Sequence, residues 1–428
     1  MLRLEPFQHG IGLIVRTTAA LTIVCLGVCL GLGLDASRSG ARAVDLVLKS
    51  EIGQSVEFND NRDLAPRSKG DTYTFLSTLM FDAVVRTPTT KFAATVDLSY
   101  QAFTGPGADQ LLNALNHGVR ASMETKEKLT TYNLAGSWAR RDASTVQIED
   151  IGFATVHGHV DTYVAEGGAR RELSPQESIG WATRVTAIQF SSQNTTSRGT
   201  DSVSVVNTAD WRRQLHVLTD VFSQLQFEWQ SLDNAYGTNN YIWRPVAGVQ
   251  HRLTKQLTLK ASGGAAITTT TQDITTAIPP AITPPRSGTQ LGWLADLLLT
   301  YKVKMAEVSF LAGRSVAPSA LGDLQERSTL SLTYRQDINA VSALSLSGMY
   351  SRIKAPPGSN AILTDPTIIG NVADVYTATI GYDYKLARDW NARLTYRFTH
   401  RQTETNSANS NAVMLSVRHG MTLWHDDR

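Results

Sequence analysis

The stretch Asn391-Ala392-Arg393-Leu394-Thr395-Tyr396-Arg397-Phe398-Thr399-His400-Arg401 decides the fold. Ala392, Leu394, Tyr396 and Phe398 alternate with Asn391, Arg393, Thr395, Arg397, Thr399 and Arg401. Successive side chains point to opposite faces of a β-strand, so a period of two puts three arginines on one face and an apolar row on the other. The pattern recurs along the chain. Val96, Leu98 and Tyr100 oppose Thr95, Asp97, Ser99 and Gln101; Leu225, Phe227 and Trp229 oppose Gln224, Gln226, Glu228 and Gln230. Leu330, Leu332 and Tyr334 oppose Thr329, Ser331, Thr333 and Arg335; Ala378, Ile380, Tyr382 and Tyr384 oppose Thr377, Thr379, Asp383 and Lys385. The patterned segments run about 10 to 14 residues, where soluble strands average about five or six and a tilted bilayer-crossing strand needs about 9 to 11.

Composition fits this reading. The chain has 428 residues, 18% charged and 42% hydrophobic, with a formal net charge of +2. That balance speaks against a nucleic-acid binder, which needs a concentrated basic face. Mean hydropathy is -0.16, too polar for a bundle of membrane helices. A membrane barrel escapes that test because polar and apolar residues alternate along each strand.

The N-terminus reads as a secretion leader. Arg3 and Arg16 precede an apolar run from Ala19 to Leu34, and Ala41-Arg42-Ala43 forms an A-x-A cleavage site. Residues 1–43 are expected to be removed, leaving 44–428 as one barrel; a retained anchor is the alternative. Both cysteines, Cys25 and Cys29, fall in the leader, so the mature chain is expected to build no disulfide or thiolate metal site.

Between the patterned segments, short turns alternate with long links. Short turns are expected at Thr87–Thr90, Arg141–Ser144, Ser174–Glu177, Thr219–Val221, Thr254–Gln256, Asp337–Ala340 and Ala387–Asp389. Long links rich in Gly, Pro, Asn, Ser and Thr are expected at Asn59–Asp71, Thr104–Glu124, Ser191–Ser202, Asp233–Asn240, Thr271–Ser287, Ser315–Leu324, Lys354–Asn371 and Thr403–Ser410. This alternation is that of an up-and-down antiparallel barrel, short turns on one side and long loops on the other. The segments number about 18, with 16 acceptable given the blurred pattern from Thr145 to Gln176, because bacterial single-chain barrels have an even number of strands. The last strand is expected at Ala412–Leu423, with Trp424 four places before the C-terminus.

In a bilayer every backbone polar group must be paired, and a sheet achieves this only by closing on itself. At about 16 to 18 strands the interior is too wide for side chains to fill. By parity Glu51, Glu57, Asp97, Glu228, Lys260, Arg335, Asp383, Lys385, Arg393, Arg397 and Arg401 face inward. Asp97, Glu228, Arg335, Asp383, Lys385, Arg393, Arg397 and Arg401 are the candidate pore-lining residues. The arginine row Arg393, Arg397 and Arg401, with Arg335 nearby, reads either as a basic ladder for an anionic solute or as one half of a set of balanced charge ladders. Most aromatics, among them Tyr100, Trp138, Trp229, Tyr241, Trp243, Tyr334, Tyr350, Tyr376 and Trp390, fall by parity on the apolar face near strand ends, as an interfacial girdle requires.

Other constellations have plainer readings. His157, His159 and Asp161 share one face of a strand, without a readable further ligand cluster, and read as a polar strand end. Asn59, Asp60 and Asp63 lack the spacing of a twelve-residue calcium loop and read as turn residues. No G-x-S-x-G elbow occurs, and catalysis and a bound cofactor are not expected.

Three features resemble the β-barrel porin 2 family of proteobacterial outer-membrane proteins. They are the opening strand with its Asp/Asn-rich continuation Ser55-Val56-Glu57-Phe58-Asn59-Asp60-Asn61, the segment Arg140-Arg141-Asp142-Ala143-Ser144, and the repeated Leu-Thr-type turns such as Leu218-Thr219 and Leu253-Thr254. The resemblance implies a Gram-negative outer-membrane channel tied to exopolysaccharide or capsule export, with a periplasmic polysaccharide-export protein as partner. A general or substrate-specific diffusion porin is the second reading; an outer-membrane enzyme or adhesin using the long loops is the third. The expected surroundings are outer-membrane lipid and lipopolysaccharide outside, and polysaccharide or small hydrophilic solutes inside.

Overall fold

The computed structural model describes residues 45–427, apart from 109–110, 112, 144–157, 193–199, 234–236, 273–286, 319–323, 355–371 and 404–405. The expected leader and His157 lie outside the described residues. The strands are β1 (Asp45–Asn59), β2 (Thr72–Arg86), β3 (Thr90–Thr104), β4 (Ala114–Glu127), β5 (Thr130–Asp142), β6 (Gly158–Ser174), β7 (Glu177–Ser192), β8 (Asp201–His216) and β9 (Thr219–Asp233). They continue as β10 (Thr238–Arg252), β11 (Leu257–Gln272), β12 (Ser287–Lys302), β13 (Ala306–Pro318), β14 (Leu324–Asp337), β15 (Ser342–Lys354), β16 (Val372–Lys385), β17 (Trp390–Thr403) and β18 (Ser407–Asp427). Each pairs antiparallel with the next, and β18 returns to β1 from Asp45↔Asp427 to Asn59↔Ala412, with one irregularity at Leu48/Lys49. The chain is therefore a closed 18-stranded antiparallel barrel, the larger of the two strand counts expected. Closure leaves no sheet edge running the length of the wall.

Side-chain chemistry sets the reversals. At the end of the barrel holding the first residue of β1 and the last of β18, the links are short: 87–89, 128–129, 175–176, 217–218, 253–256, 303–305, 338–341 and 386–389. Thr254 Oγ1 accepts from the backbone N–H of Gln256 at 3.2 Å and of Leu257 at 3.0 Å. Asn339 Oδ1 accepts from Val341 and Ser342 N–H, both at 2.9 Å. These are the side-chain-to-backbone turns that Thr and Asn favour.

Several strands run further than their sequence pattern indicates. The expected loop Thr104–Glu124 contains most of β4, from Ala114 to Glu124, where Leu115, Val119 and Met123 face outward and Asn116, Arg120 and Glu124 inward. His117 stands in the outward row and masks the alternation. The links Asp233–Asn240, Ser315–Leu324 and Thr403–Ser410 shrink to 234–237, 319–323 and 404–406. The last strand is Ser407–Asp427 rather than Ala412–Leu423, so Trp424 lies within it. Arg141–Ser144 is not a turn: Arg140, Arg141 and Asp142 end β5, and the β4–β5 reversal falls at Lys128–Leu129, with Lys128 at φ 50°. Thr219–Val221 likewise opens β9, the reversal lying at 217–218. A polar run mimicked a loop where polar residues occupy both faces at a strand end, as with outward Arg140 beside inward Arg141 and outward Asn409 and Asn411 in β18, so the alternation is lost.

The register sorts side chains into two sets. The outward set includes Ile52, Leu79 and Leu98 in one row across β1–β3, and Val205, Trp229 and Tyr241 across β8–β10. Its large apolar members stand exposed, among them Leu332, Ile380, Leu394 and Leu415. Every aromatic assigned by parity to the apolar face is found there, and Phe227 and Trp243 meet at 4.5 Å between ring centroids. Buried apolar clusters are small and local, as befits a wall one sheet thick. Ala143 and Val160 pack with Ile188 and Phe190; Ala266, Leu294 and Val316 pack with Val246.

Candidate functional site

The inward set forms the site. All eight pore-lining candidates lie on the inward register face: Asp97 on β3, Glu228 on β9, Arg335 on β14, Asp383 and Lys385 on β16, and Arg393, Arg397 and Arg401 on β17. The arginine row is answered by acids. Arg393 Nε lies 3.6 Å from Asp383 Oδ1 on the adjacent strand, and Arg397 Nη2 lies 3.3 Å from Glu57 Oε2, reaching across β18 to β1. Arg418 on β18 lies 3.6 Å from Glu51 on β1. Arg401 is buried, 8% exposed. Arg335 pairs with Asp337 of its own strand at 3.6 Å, so it stands apart from the β17 row. The balanced-ladder reading thus describes these side chains better than an unopposed basic ladder.

The belt continues around the wall. Arg141 reaches Asp97 at 2.6 Å over Gly118 of the intervening β4, and Arg170 reaches Asp210 at 2.8 Å over Gly180 of β7. A Cβ on Gly118 would stand 2.7 Å from Asp97 Oδ1, and one on Gly180 would stand 2.4 Å from Asp210 Oδ1. The bare backbone of these two residues is what lets the bridges span a strand. Arg184 and Glu166 close directly across β6–β7 at 2.6 Å. Most of these pairs are partly exposed, so they order the wall more than they stabilise it, at about 0–1 kcal/mol each.

Among the described residues, the loop between β1 and β2 reaches the inner wall. Residues 60–71, between β1 and β2, are held by polar contacts from both sides. Asn61 Nδ2 donates to the carbonyls of Ala65 at 2.8 Å and Asn409 at 2.9 Å, and Asp60 accepts from both nitrogens of Asn411 at 2.7 Å. Asn59 Oδ1 accepts from Asn61 N at 2.8 Å and from Ser410 Oγ at 2.9 Å, while Asp63 pairs with Lys69 at 3.1 Å. The side chains of Asn59, Asp60 and Asp63 therefore hold the loop. The loop projects Arg62 onto the inward face of β3, its guanidinium 4.6 Å from the Phe103 ring centroid. Burial lowers the Arg62 pKa from the usual guanidinium range, opposed by the nearby carboxylates of Glu57, Asp142 and Asp63. Sequence reading placed 59–71 in a loop but gave no sign that Arg62 turns inward.

Asp161 is also spoken for. Its oxygens accept from Arg140 at 2.9 and 2.7 Å and from the Trp138 indole at 3.2 Å, on the outward face. This is a structural pair at the outer rim.

A charged, internally paired lumen face inside an apolar outer face is the arrangement of a β-barrel built to cross a membrane. No family model matches the chain, and no curated relative matches it. Solved structures it is similar to include OccK2 (OpdF) of Pseudomonas aeruginosa, at 8% identity over 89% of this chain and 98% of that one, with a TM-score of 0.48. OccAB4 of Acinetobacter baumannii shows 11% identity over 89% and 98%, TM-score 0.48, and a BenF-like porin of Pseudomonas fluorescens Pf-5 shows 11% over 88% and 99%, TM-score 0.48.

Proposed function

We propose that this chain is a Gram-negative outer-membrane channel through which small hydrophilic solutes diffuse, residues 1–43 serving as its removed leader. The observation that carries the reading is the separation of faces: Leu332, Ile380, Leu394 and Leu415 stand exposed outside, while Arg393, Arg397 and Arg418 meet acids inside. Eighteen strands enclose a lumen wider than side chains fill, and a wet interior tolerates the paired charges that lipid would not. The partners in this reading are outer-membrane lipid and lipopolysaccharide outside and the solute inside.

Liposome swelling tests it. Vesicles carrying the purified protein should swell in uncharged mono- and disaccharides, with a rate that falls steeply as the sugar grows. A folded, heat-modifiable protein that leaves vesicles impermeable would contradict free diffusion. It would favour the export role implied by the sequence resemblance, in which a periplasmic polysaccharide-export protein opens the lumen.

A further inference from the structure

The wall is incompletely paired at one seam. The β12–β13 ladder runs only from Lys302↔Glu307 to Ala295↔Arg314. Its neighbours stay paired to their far ends, β11–β12 to Thr271↔Ser287 and β13–β14 to Pro318↔Leu324. Among the described residues, 287–294 of β12 have no partner on the β13 side. Past Arg314, β13 turns inward instead. Val316 is buried against Ala266, Leu294 and Val246, and its Cγ2 lies 3.1 Å from where a Cβ on Gly292 would stand. Arg244 fixes the bend, donating to the Val316 carbonyl at 2.9 Å while pairing with Glu228 at 2.6 Å. The two strands therefore cross rather than pair.

Behind the seam lies a cavity of about 740 Å³, well within the range of small-molecule sites. Part of its lining is apolar, from Phe222, Leu294, Leu298 and Leu311. The same cavity holds Lys260, whose ammonium lies 5.4 Å from the Phe222 ring centroid, and Asp296; among the described residues neither makes an ion pair or a side-chain hydrogen bond. Lys260 sits opposite Leu298 and Asp296 opposite Ser262, so the two charges are diagonal neighbours on adjacent strands. Arg314, another lining residue, lays its guanidinium 4.3 Å from the ring centroid of outward-facing Trp293. One side chain thus borders the cavity and touches an aromatic ring on the outer, lipid-facing side of the wall.

We propose that this cavity is a binding site for a single-chain zwitterionic amphiphile, entered sideways from the membrane through the β12–β13 seam. The headgroup anion meets Lys260, the headgroup cation meets Asp296, and the chain lies on Phe222, Leu294, Leu298 and Leu311. The route rests on the barrel crossing a membrane but not on solute diffusion along its axis.

The test uses the full chain in phosphatidylcholine vesicles, with Cys25→Ser and Cys29→Ser removing other thiols. A fluorescent amino acid replaces Ser262 in the cavity or, as control, Ser99 on another part of the inner wall. The probe is an alkyl sulfobetaine with a twelve-carbon chain brominated near its end. Saturable quenching is expected at position 262 and none at 99. The half-saturating concentration should rise about tenfold in Lys260→Gln and in Asp296→Asn, the loss of one charge-assisted contact. An oxidised Gly292→Cys/Val316→Cys bridge across the seam should abolish the quenching, and reduction should restore it. Equal quenching at 99, or quenching that survives the bridge, would mean entry through the lumen mouth and overturn the proposal; so would no quenching at 262. Brominated phospholipid quenching of the outward tryptophans, measured in the same vesicles, reports membrane seating. It distinguishes a failure of the barrel reading, which would also overturn the lateral route, from a failure of the site alone.

Discussion

Replacing Arg244 by Met attacks the contact that holds the bent end of β13. Arg244 and Glu228 meet at 2.6 Å with side chains only 11% and 8% exposed, and the same guanidinium donates to the Val316 carbonyl at 2.9 Å. Removing it leaves the Glu228 carboxylate buried without its cation, which costs about 3–5 kcal/mol when a buried pair is broken from one side. The orphaned carbonyl adds about 1–3 kcal/mol if nothing replaces its donor. Lumen water and relaxation of β13 recover part of both, so a net loss of about 4 kcal/mol is expected. Glu228→Gln keeps an acceptor for Arg244 and leaves the Val316 contact standing but buries the guanidinium without its counter-charge, so it should cost about 3 kcal/mol. The double variant buries no lone charge. It should therefore be less destabilised than the sum of the singles by about 1–3 kcal/mol. Equilibrium urea unfolding from phospholipid vesicles, followed by tryptophan fluorescence, measures all three. Arg244→Met within about 0.5 kcal/mol of the parent, or strict additivity in the double variant, would refute the clamp.

The two register faces predict opposite responses to one substitution. Leu332→Arg, on the outward face of β14, should cost about 2–4 kcal/mol of folding stability in lipid, whereas Ser331→Arg next to it should stay within about 0.5 kcal/mol; urea titrations in vesicles compare them. Arg62→Ala removes the cation–π contact with Phe103 and should loosen the 60–71 loop, costing about 0.5–2 kcal/mol and raising the rate at which protease nicks that loop. Gly264→Val should block assembly, because its Cβ would stand 2.2 Å from the Pro245 carbonyl oxygen; loss of the heat-modifiable band on gel electrophoresis is the readout. Gly288→Val at the free end of β12, where a Cβ meets nothing within 4 Å, should fold normally in the same gel.

The strand period carried most of the architecture. In β17 the arginines and the Leu394–Tyr396–Phe398 row fall on the faces that alternation assigned them, because a two-residue repeat leaves no other way to separate charge from apolar surface. Boundaries were less legible. Arg140-Arg141-Asp142 looked like a turn since its polarity resembles that of a loop, yet Arg141 lies in the wall and bridges to Asp97 two strands away. The acids that answer the arginine row could not be paired from sequence, because Arg397 and Glu57 are 340 residues apart and meet only when β18 closes onto β1. The β12–β13 seam was invisible for a similar reason. Val316 fell inside the expected link Ser315–Leu324, and only the register shows that β12 and β13 stop pairing at Ala295.

Single-channel conductance of the purified protein in a planar lipid bilayer tests the central claim most directly. The account predicts stable ohmic openings, with Arg393→Gln and Arg397→Gln shifting the ion selectivity toward cations because Asp383 and Glu57 then face the lumen without their partners. A protein that inserts and stays heat-modifiable yet passes no current, or one whose selectivity ignores both substitutions, would contradict it.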